Sequence, residues 1–181
     1  MKGLEKALIA LRLGKIVAFP TEGVWGMGCD PENEIAVRKL INLKERSLEK
    51  GVILVGGSLE QMEPYIDVTK YKSKLMTKWP GAHTWVVPTK KAPYWITGRH
   101  SSVALRVSNH PVILSICESF GKAIVSSSAN FEGGSPARSK REVLKFFKGI
   151  TIIEGYLGCL KGPTPIQNVE TGEWIRKAGE G

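Results

Sequence analysis

An α/β protein is what the sequence predicts, and two observations carry that reading. Short apolar runs with strand character, at 16–19, 52–55, 84–88, 102–107, 123–125 and 151–153, alternate along the chain with patterns of helical period. The 181 residues, 42% of them apolar, suffice for a substantial core and contain no apolar run long enough to span a bilayer. No repeat, linker or low-complexity segment divides the chain, so a single domain over 1–181 is expected.

Leu4, Ala7, Leu8 and Leu11 fit an amphipathic first helix stopped at Gly14. Lys2 ahead of apolar residues resembles a signal peptide, but Glu5, Lys6 and Arg12 interrupt the run and no small-residue cleavage site follows. A cytoplasmic protein without a membrane segment is expected. Residues 16–19 form a strand closed by Pro20. Gly23, Gly26 and Gly28 then provide backbone able to approach a ligand closely, although their spacing is neither a dinucleotide fingerprint nor a P-loop. Asp30-Pro31 opens the next helix, with Asp30 or Asn33 as its cap and Glu32 and Glu34 in an acidic first turn.

That helix, 33–43, puts Val37, Leu40 and Ile41 on a core stripe, and Lys44, seven residues beyond Val37, continues it. A lysine aimed inward needs an anion to meet it, because an unpaired buried charge is costly. Arg46 and Lys50 cannot share a helical face with Lys44 at these spacings, so the helix ends here and a loop gathers all three. The stretch is either an anion site for phosphate or carboxylate or an ordinary basic helix end favoured by the macrodipole.

A turn at 56–58 leads to a helical stretch at 59–65 and a lysine-rich segment at 70–78, broken at 79–81. His83, alone before strand 84–88, reads as structural in preference to catalytic. Residues 95–99 form a loop whose Arg99 faces solvent or nucleic acid. Strand 102–107 alternates, with Val103, Leu105 and Val107 on one face and Ser102, Ala104 and Arg106 on the other. Flanked by small residues, Arg106 has room to present its fork to a carboxylate or phosphate, unless this is simply a solvated strand face. His110-Pro111 opens a helix at 112–120, ended by Gly121. Strand 123–125 runs into Ser126-Ser127-Ser128-Ala129-Asn130, polar groups at a strand's carboxyl end, where open α/β sheets bind ligands; the same residues also suit a plain turn. A glycine-rich loop at 133–136 is a candidate lid. A basic helix at 140–147, a strand at 151–153, a Gly- and Pro-rich loop at 155–165 and a hairpin of 166–169 with 174–176 complete the chain.

Lys and Arg outnumber Asp and Glu by 26 to 17, a net charge of +9 that favours anionic partners such as nucleotides or RNA, or else marks a generally basic surface. Cys29, Cys117 and Cys159 are odd in number, widely spaced and without a C-x-x-C pair, which argues against a disulfide framework and a structural zinc site.

Together these residues carry a resemblance. Phe19-Pro20-Thr21-Glu22 with Trp25-Gly26-Met27-Gly28-Cys29-Asp30 resembles the opening motif of the YrdC/TsaC family. Leu43-Lys44-Glu45-Arg46 with Lys50 is similar to its Lys-x-Arg motif and downstream lysine. Val103-Ala104-Leu105-Arg106-Val107 followed by His110-Pro111, and Ser127-Ser128-Ala129-Asn130, match two further signatures in order, and Arg176 has a place in the pattern. The match is to the short bacterial form. It implies a three-layer domain of α+β type, with a twisted, mainly mixed sheet around an open basic cavity.

The activity this resemblance implies is threonylcarbamoyl-AMP synthesis. L-threonine, bicarbonate and ATP give threonylcarbamoyl-adenylate and pyrophosphate, for the threonylcarbamoyladenosine (t6A) next to the anticodon of ANN-decoding tRNAs, with other proteins performing the transfer. By the same resemblance Thr21, Arg106 and Ser126 fall at the threonine pocket. Lys44, Arg46, Lys50, Ser102, Ser128, Asn130 and Arg176 fall around ATP, with Lys44, Arg46 and Lys50 as the catalytic cluster. Mg2+ is expected with ATP, held by phosphates and water and not by protein side chains. No side chain is an obvious general base, so catalysis by positioning and electrostatics is expected. Longer members place a histidine where Val55 stands and a serine where Pro136 stands. The alternative is a double-stranded RNA- or tRNA-binding module in rRNA or tRNA maturation. A carbamoyl-phosphate-using protein of the same fold would be expected in a longer chain with zinc-binding cysteines, which this sequence lacks.

Overall fold

The computed structural model describes residues 1–178. Helix α1 (Leu4–Arg12) is followed by an antiparallel pair, β1 (Val17–Pro20) and β2 (Trp25–Gly28), then α2 (Glu34–Leu43), β3 (Ile53–Gly56) and α3 (Val68–Leu75). Next come β4 (Thr84–Pro88), the short α4 (Tyr94–Thr97), β5 (Ser102–Val107) and α5 (Pro111–Phe120). The chain ends with β6 (Ile124–Val125), β7 (Ser127–Ser128), α6 (Lys140–Phe146), β8 (Thr151–Ile152), β9 (Ile166–Asn168) and β10 (Trp174–Arg176).

The strands form two mixed sheets where the sequence led us to expect one: a four-stranded sheet ordered β7-β2-β1-β8 and a six-stranded sheet ordered β10-β9-β4-β5-β3-β6. The division falls inside one continuous segment. Ile124-Val125 pair with β3, Ser127-Ser128 pair with β2, and Ser126 lies between, its N–H donating to Ile53 O at 2.8 Å. A run of small polar residues makes that crossing sterically easy, and the sequence pattern does not disclose it.

The period of two along each strand sorts side chains into two cores. Val17, Phe19 and Val55 join Ala7, Ala10 and Leu11 of α1 and Val112, Ile113 and Ile116 of α5. Ala18 and Leu54, one residue out of phase, join Val37, Leu40 and Ile41 of α2 with Val103, Leu105 and Val107 of β5. Helices thus lie on both sides of the strands, in the layered arrangement expected. The β5 face carrying Ser102, Ala104 and Arg106 is therefore the one left to line cavities.

Some elements differ from expectation. Residues 59–65 hold only one 3-10 turn, Glu60–Met62, and residues 95–99 contribute to α4 where a loop was expected. Helix α2 starts at Glu34 and not at Asp30-Pro31; Asn33 caps it by accepting the Ala36 N–H at 3.0 Å. Segment 21–28 is half strand, and two of its glycines serve protein packing. A Cβ at Gly28 would collide with the Val125 carbonyl and one at Gly23 with the Gly162 carbonyl, whereas Gly26 adjoins Thr21 and Ser126. Among the described residues no helix is long and apolar enough to cross a membrane. Cys29 and Cys117 are buried free thiols whose pKa burial pushes up to about 12, and Cys159 is exposed.

Candidate active site: an arginine-ringed cavity where the sheets cross

The end of α2 explains how three cations leave one helix in different directions. Glu45 adopts φ +54°. Its N–H donates to Asn42 O at 3.0 Å and the Arg46 N–H to Ile41 O at 3.1 Å, the paired bonds of a Schellman motif whose left-handed position ordinarily holds glycine. Lys44, the last residue before this reversal, is 2% exposed. Its ammonium donates to Ser128 O, to Asn130 O at 2.6 Å and to Asn130 Oδ1 at 3.4 Å. The inward lysine therefore meets carbonyl dipoles rather than a carboxylate. Burial, then the neighbouring Arg46, pull its pKa from 10.5 to about 8, partly offset by Glu132.

Arg46 lies beyond the reversal and donates to Gly51 O at 3.2 Å, leaving its buried Nε without a partner. Lys50 is exposed and paired with Glu132, whose N–H donates to Lys44 O at 3.0 Å. The three cations thus surround the root of the loop after Asn130 without sharing one contact. Asn130 is consumed in shaping that loop. It accepts from Ser128 Oγ at 2.6 Å and donates to Phe131 O and Gly134 O, each at 2.8 Å.

Two cavities open beside this loop. The smaller, about 70 Å3, is lined by Thr21, Gly26, Arg46, Arg106, Ser126, Ser127, Ser128, Thr164 and Arg176. The larger, about 410 Å3, is lined by Arg46, Lys50, Val86, Ile96, Thr97, His100, Ser102, Ala104, Ile166, Ile175 and Arg176. Arg46, Val52, Ile53 and Arg176 line both. Thr21, Arg106 and Ser126 converge on the small cavity; Lys50 and Ser102 reach only the large one. Lys44 and Asn130 line neither.

Thr164 and Glu22 are two organising residues that the sequence reading missed. Thr164 Oγ1 accepts from Arg106 Nη1 at 2.9 Å and shares a hydrogen bond with Thr84 Oγ1 at 3.0 Å. Its carbonyl accepts Arg176 Nε at 3.0 Å and Nη2 at 2.7 Å, so one threonine holds two guanidiniums. Glu22, 6% exposed, places Oε2 3.2 Å from Arg106 Nη2, and its Oε1 accepts from Ser108 Oγ at 2.6 Å. A residue inside a Gly- and Pro-rich loop carries no pattern that marks it, whereas Glu22 sits beside Thr21 in a quoted motif and was open to view. Burial, then Arg106 and Arg46, lower the Arg176 pKa; burial alone is the main cause at Arg46. His83 packs on Trp85 and Trp174, with centroids 4.4 and 5.7 Å away, and lines neither cavity.

Guanidinium groups crowded at a buried cavity, two with buried Nε atoms unpartnered, define an anion-binding α/β protein. A family model for the Sua5/YciO/YrdC domain, described as Telomere recombination, matches residues 9–175. The chain belongs to the Sua5/YciO/YrdC family. It is 41% identical over 182 residues to the threonylcarbamoyl-AMP synthase of Xanthomonas campestris pv. campestris (strain B100), covering 96% of each chain. It is 42% identical over 184 residues to that of Aliivibrio fischeri (strain ATCC 700601 / ES114), covering 98% of this chain and all of the relative. The crystal structure of P. abyssi Sua5 complexed with L-threonine superposes with a TM-score of 0.88 at 29% identity over 97% of this chain. This chain spans only 54% of that Sua5 chain.

Proposed function

We infer that the chain is a threonylcarbamoyl-AMP synthase, a nucleotidyltransferase that makes L-threonylcarbamoyladenylate and pyrophosphate from L-threonine, bicarbonate and ATP for tRNA modification. One observation carries this reading. Arg46, Arg106 and Arg176 meet at a small cavity that adjoins a larger, partly apolar one, and among the described residues Glu22 alone places a carboxylate in ion-pair contact with them. Such a layout suits a small carboxylate ligand at one end, a polyphosphate at the residues lining both cavities and a nucleoside beyond them.

In this assignment threonine lies at Thr21, Arg106 and Ser126, and its amine takes up the bicarbonate carbon as a carbamate, releasing water. A carbamate oxygen attacks the α-phosphorus of ATP, and the pyrophosphate group leaves with the bonding pair. Arg46, Arg176, Lys50 and Ser128 hold the phosphates in line and receive developing charge, with Ser102 toward the nucleoside. Lys44 and Asn130 act from behind, fixing the Ser128 segment and adding the Lys44 charge at short range. Mg2+ enters as part of the ATP substrate. Among the described residues no cluster of three or more His, Cys, Asp or Glu side chains suits a resident metal, and the cavity linings are cationic and hydroxylic. The whole chain working as one domain, the cytoplasm as its compartment, tRNA or double-stranded RNA as a further partner of its basic surface, and separate proteins that transfer the product to tRNA complete the proposal.

The test is pyrophosphate release from ATP, measured with threonine and bicarbonate each present or omitted, with mass detection of the adenylate. Release that requires both supports the assignment; release indifferent to threonine overturns it. Rapid quench is expected to trap no acyl- or phospho-enzyme.

A further inference from the structure

The three guanidiniums of the small cavity are not electrically equivalent. Arg46 and Arg176 rest on neutral carbonyls, those of Gly51 and Thr164. Arg46 feels Glu132 only from outside contact distance, and that carboxylate is already paired with Lys50. Among the described residues Arg106 alone is in ion-pair contact with a carboxylate, both partners at least nine-tenths buried. Water therefore does little to screen that pair. The contact is also incomplete. Arg106 Nη2 and Glu22 Oε2 stand 3.2 Å apart without hydrogen-bond alignment, and Arg106 Nε and Glu22 Oε2 are buried with no hydrogen-bond partner. Among the described residues Arg106 spends a donor on Thr164 and none in hydrogen-bond geometry on Glu22, so donors of its guanidinium stay uncommitted at the cavity it lines.

Glu22 is itself held firmly. Ser108 Oγ donates to Oε1 and in turn accepts the His110 N–H at 3.0 Å. The Glu22 carbonyl accepts the Leu160 N–H at 2.9 Å, and any Cβ at Gly158 would strike the Glu22 backbone, so the loop closes tightly over it. The chain invests several interactions in one buried carboxylate that lines neither cavity.

We propose that Glu22 is a positioning residue that sorts ligands by charge within the small cavity. By cancelling the Arg106 charge while fixing its orientation, it leaves that end suited to a monocarboxylate with an attached amine. The Arg46 and Arg176 end, with no carboxylate in contact with either guanidinium, takes multiply charged phosphate. Without Glu22, all three guanidiniums would lack a contacting carboxylate, and phosphate oxyanions could occupy the amino-acid position as well. This rests on the assignment of threonine to the Arg106 end.

The experiment uses inorganic phosphate as the probe, with pyrophosphate release measured at varied threonine and varied ATP. In the wild-type chain phosphate is expected to compete with ATP and not with threonine. Glu22→Gln is expected to raise the threonine KM about tenfold with kcat changed far less, and to make phosphate compete with threonine as well. Glu22→Asp, which keeps the charge, should restore exclusion of phosphate. Competition between phosphate and threonine in the wild-type chain overturns the proposal, as does a Gln variant with unchanged KM and inhibition pattern. The wild-type arm decides the matter if the Gln variant does not fold. Calorimetric threonine binding, with and without phosphate, reads the same sorting without turnover. Phosphate-insensitive threonine binding with no pyrophosphate release overturns the assigned activity and leaves the charge sorting standing.

Discussion

Lys44→Met removes a buried ammonium while keeping its stem, and its effect on stability should depend on pH in a defined direction. In the folded chain the Lys44 pKa is about 8, against 10.5 for a free lysine, chiefly because of burial. The gap corresponds to about 3 kcal/mol. Below pH 8 both folded and unfolded chains carry the proton, and the full cost of the buried charge is present. Between pH 8 and 10.5 the folded chain gives up that proton while the unfolded chain keeps it, so Lys44 makes stability rise with pH by up to about 3 kcal/mol. Cys29, Cys117 and Tyr65 have raised pKa values and work in the opposite direction. They are common to both proteins, so the difference between wild type and variant isolates Lys44.

At neutral pH Lys44→Met also strands Asn130 O, at about 1–3 kcal/mol if water does not reach it, whereas Ser128 O keeps the Asn130 N–H and Asn130 Oδ1 keeps the Ser128 hydroxyl. The variant is also relieved of the buried charge, so the two effects oppose each other at pH 7.5, and relative to wild type it should lose about 3 kcal/mol on going from pH 7.5 to pH 10.5. Urea unfolding at several pH values measures this. A wild-type-minus-variant difference that stays flat across the range would refute the argument, since it would mean that the three oxygens keep Lys44 protonated throughout.

Three further outcomes are expected. Glu45→Gly should stabilise the chain by about 0.5–1 kcal/mol in urea midpoint experiments, because it removes a side chain from the left-handed region at the end of α2. Gly28→Ala forces a methyl group against the Val125 carbonyl and should cost about 1–3 kcal/mol, read as a fall in Tm of about 2–4 °C for each kcal/mol. Glu132→Gln releases Lys50, and the Glu132 pKa is held below its usual value mainly by that lysine. ATP should bind this variant about two- to fivefold more tightly at low salt, by titration calorimetry, with the gain shrinking as salt is added; unchanged or weaker binding would show that Glu132 does not compete with the phosphates.

Much of the layer structure was legible from local chemistry. The stripe of Val37, Leu40 and Ile41 foretold which face of α2 is buried, and its continuation to Lys44 foretold a lysine drawn inward. The alternation of Val103, Leu105 and Val107 against Ser102, Ala104 and Arg106 foretold which face of β5 enters the core, but left open whether the other face meets solvent or, as it does, lines cavities. The end of α2 after Leu43 was legible too, though not its Schellman geometry, because Glu45 stands where a glycine would announce it. One misreading has a physical cause. Gly23 and Gly28 were read as room for a ligand, but the close approach they permit is to the protein's own carbonyls.

Local spacing thus sets most of the elements, the buried faces of α2 and β5 and the short motifs that identify the family, because each depends on residues a few positions apart. Only the tertiary structure decided how the charges are distributed. Lys44 meets carbonyls contributed from 84 to 86 residues away, and Thr164 joins Arg106 to Arg176 across 58 and 12 residues. Glu22 reaches Arg106 only because β1 and β5, in different sheets, end beside the same Ser126 crossing. The balance of charge in a buried site is a sum over neighbours in space, and no spacing along the chain encodes it.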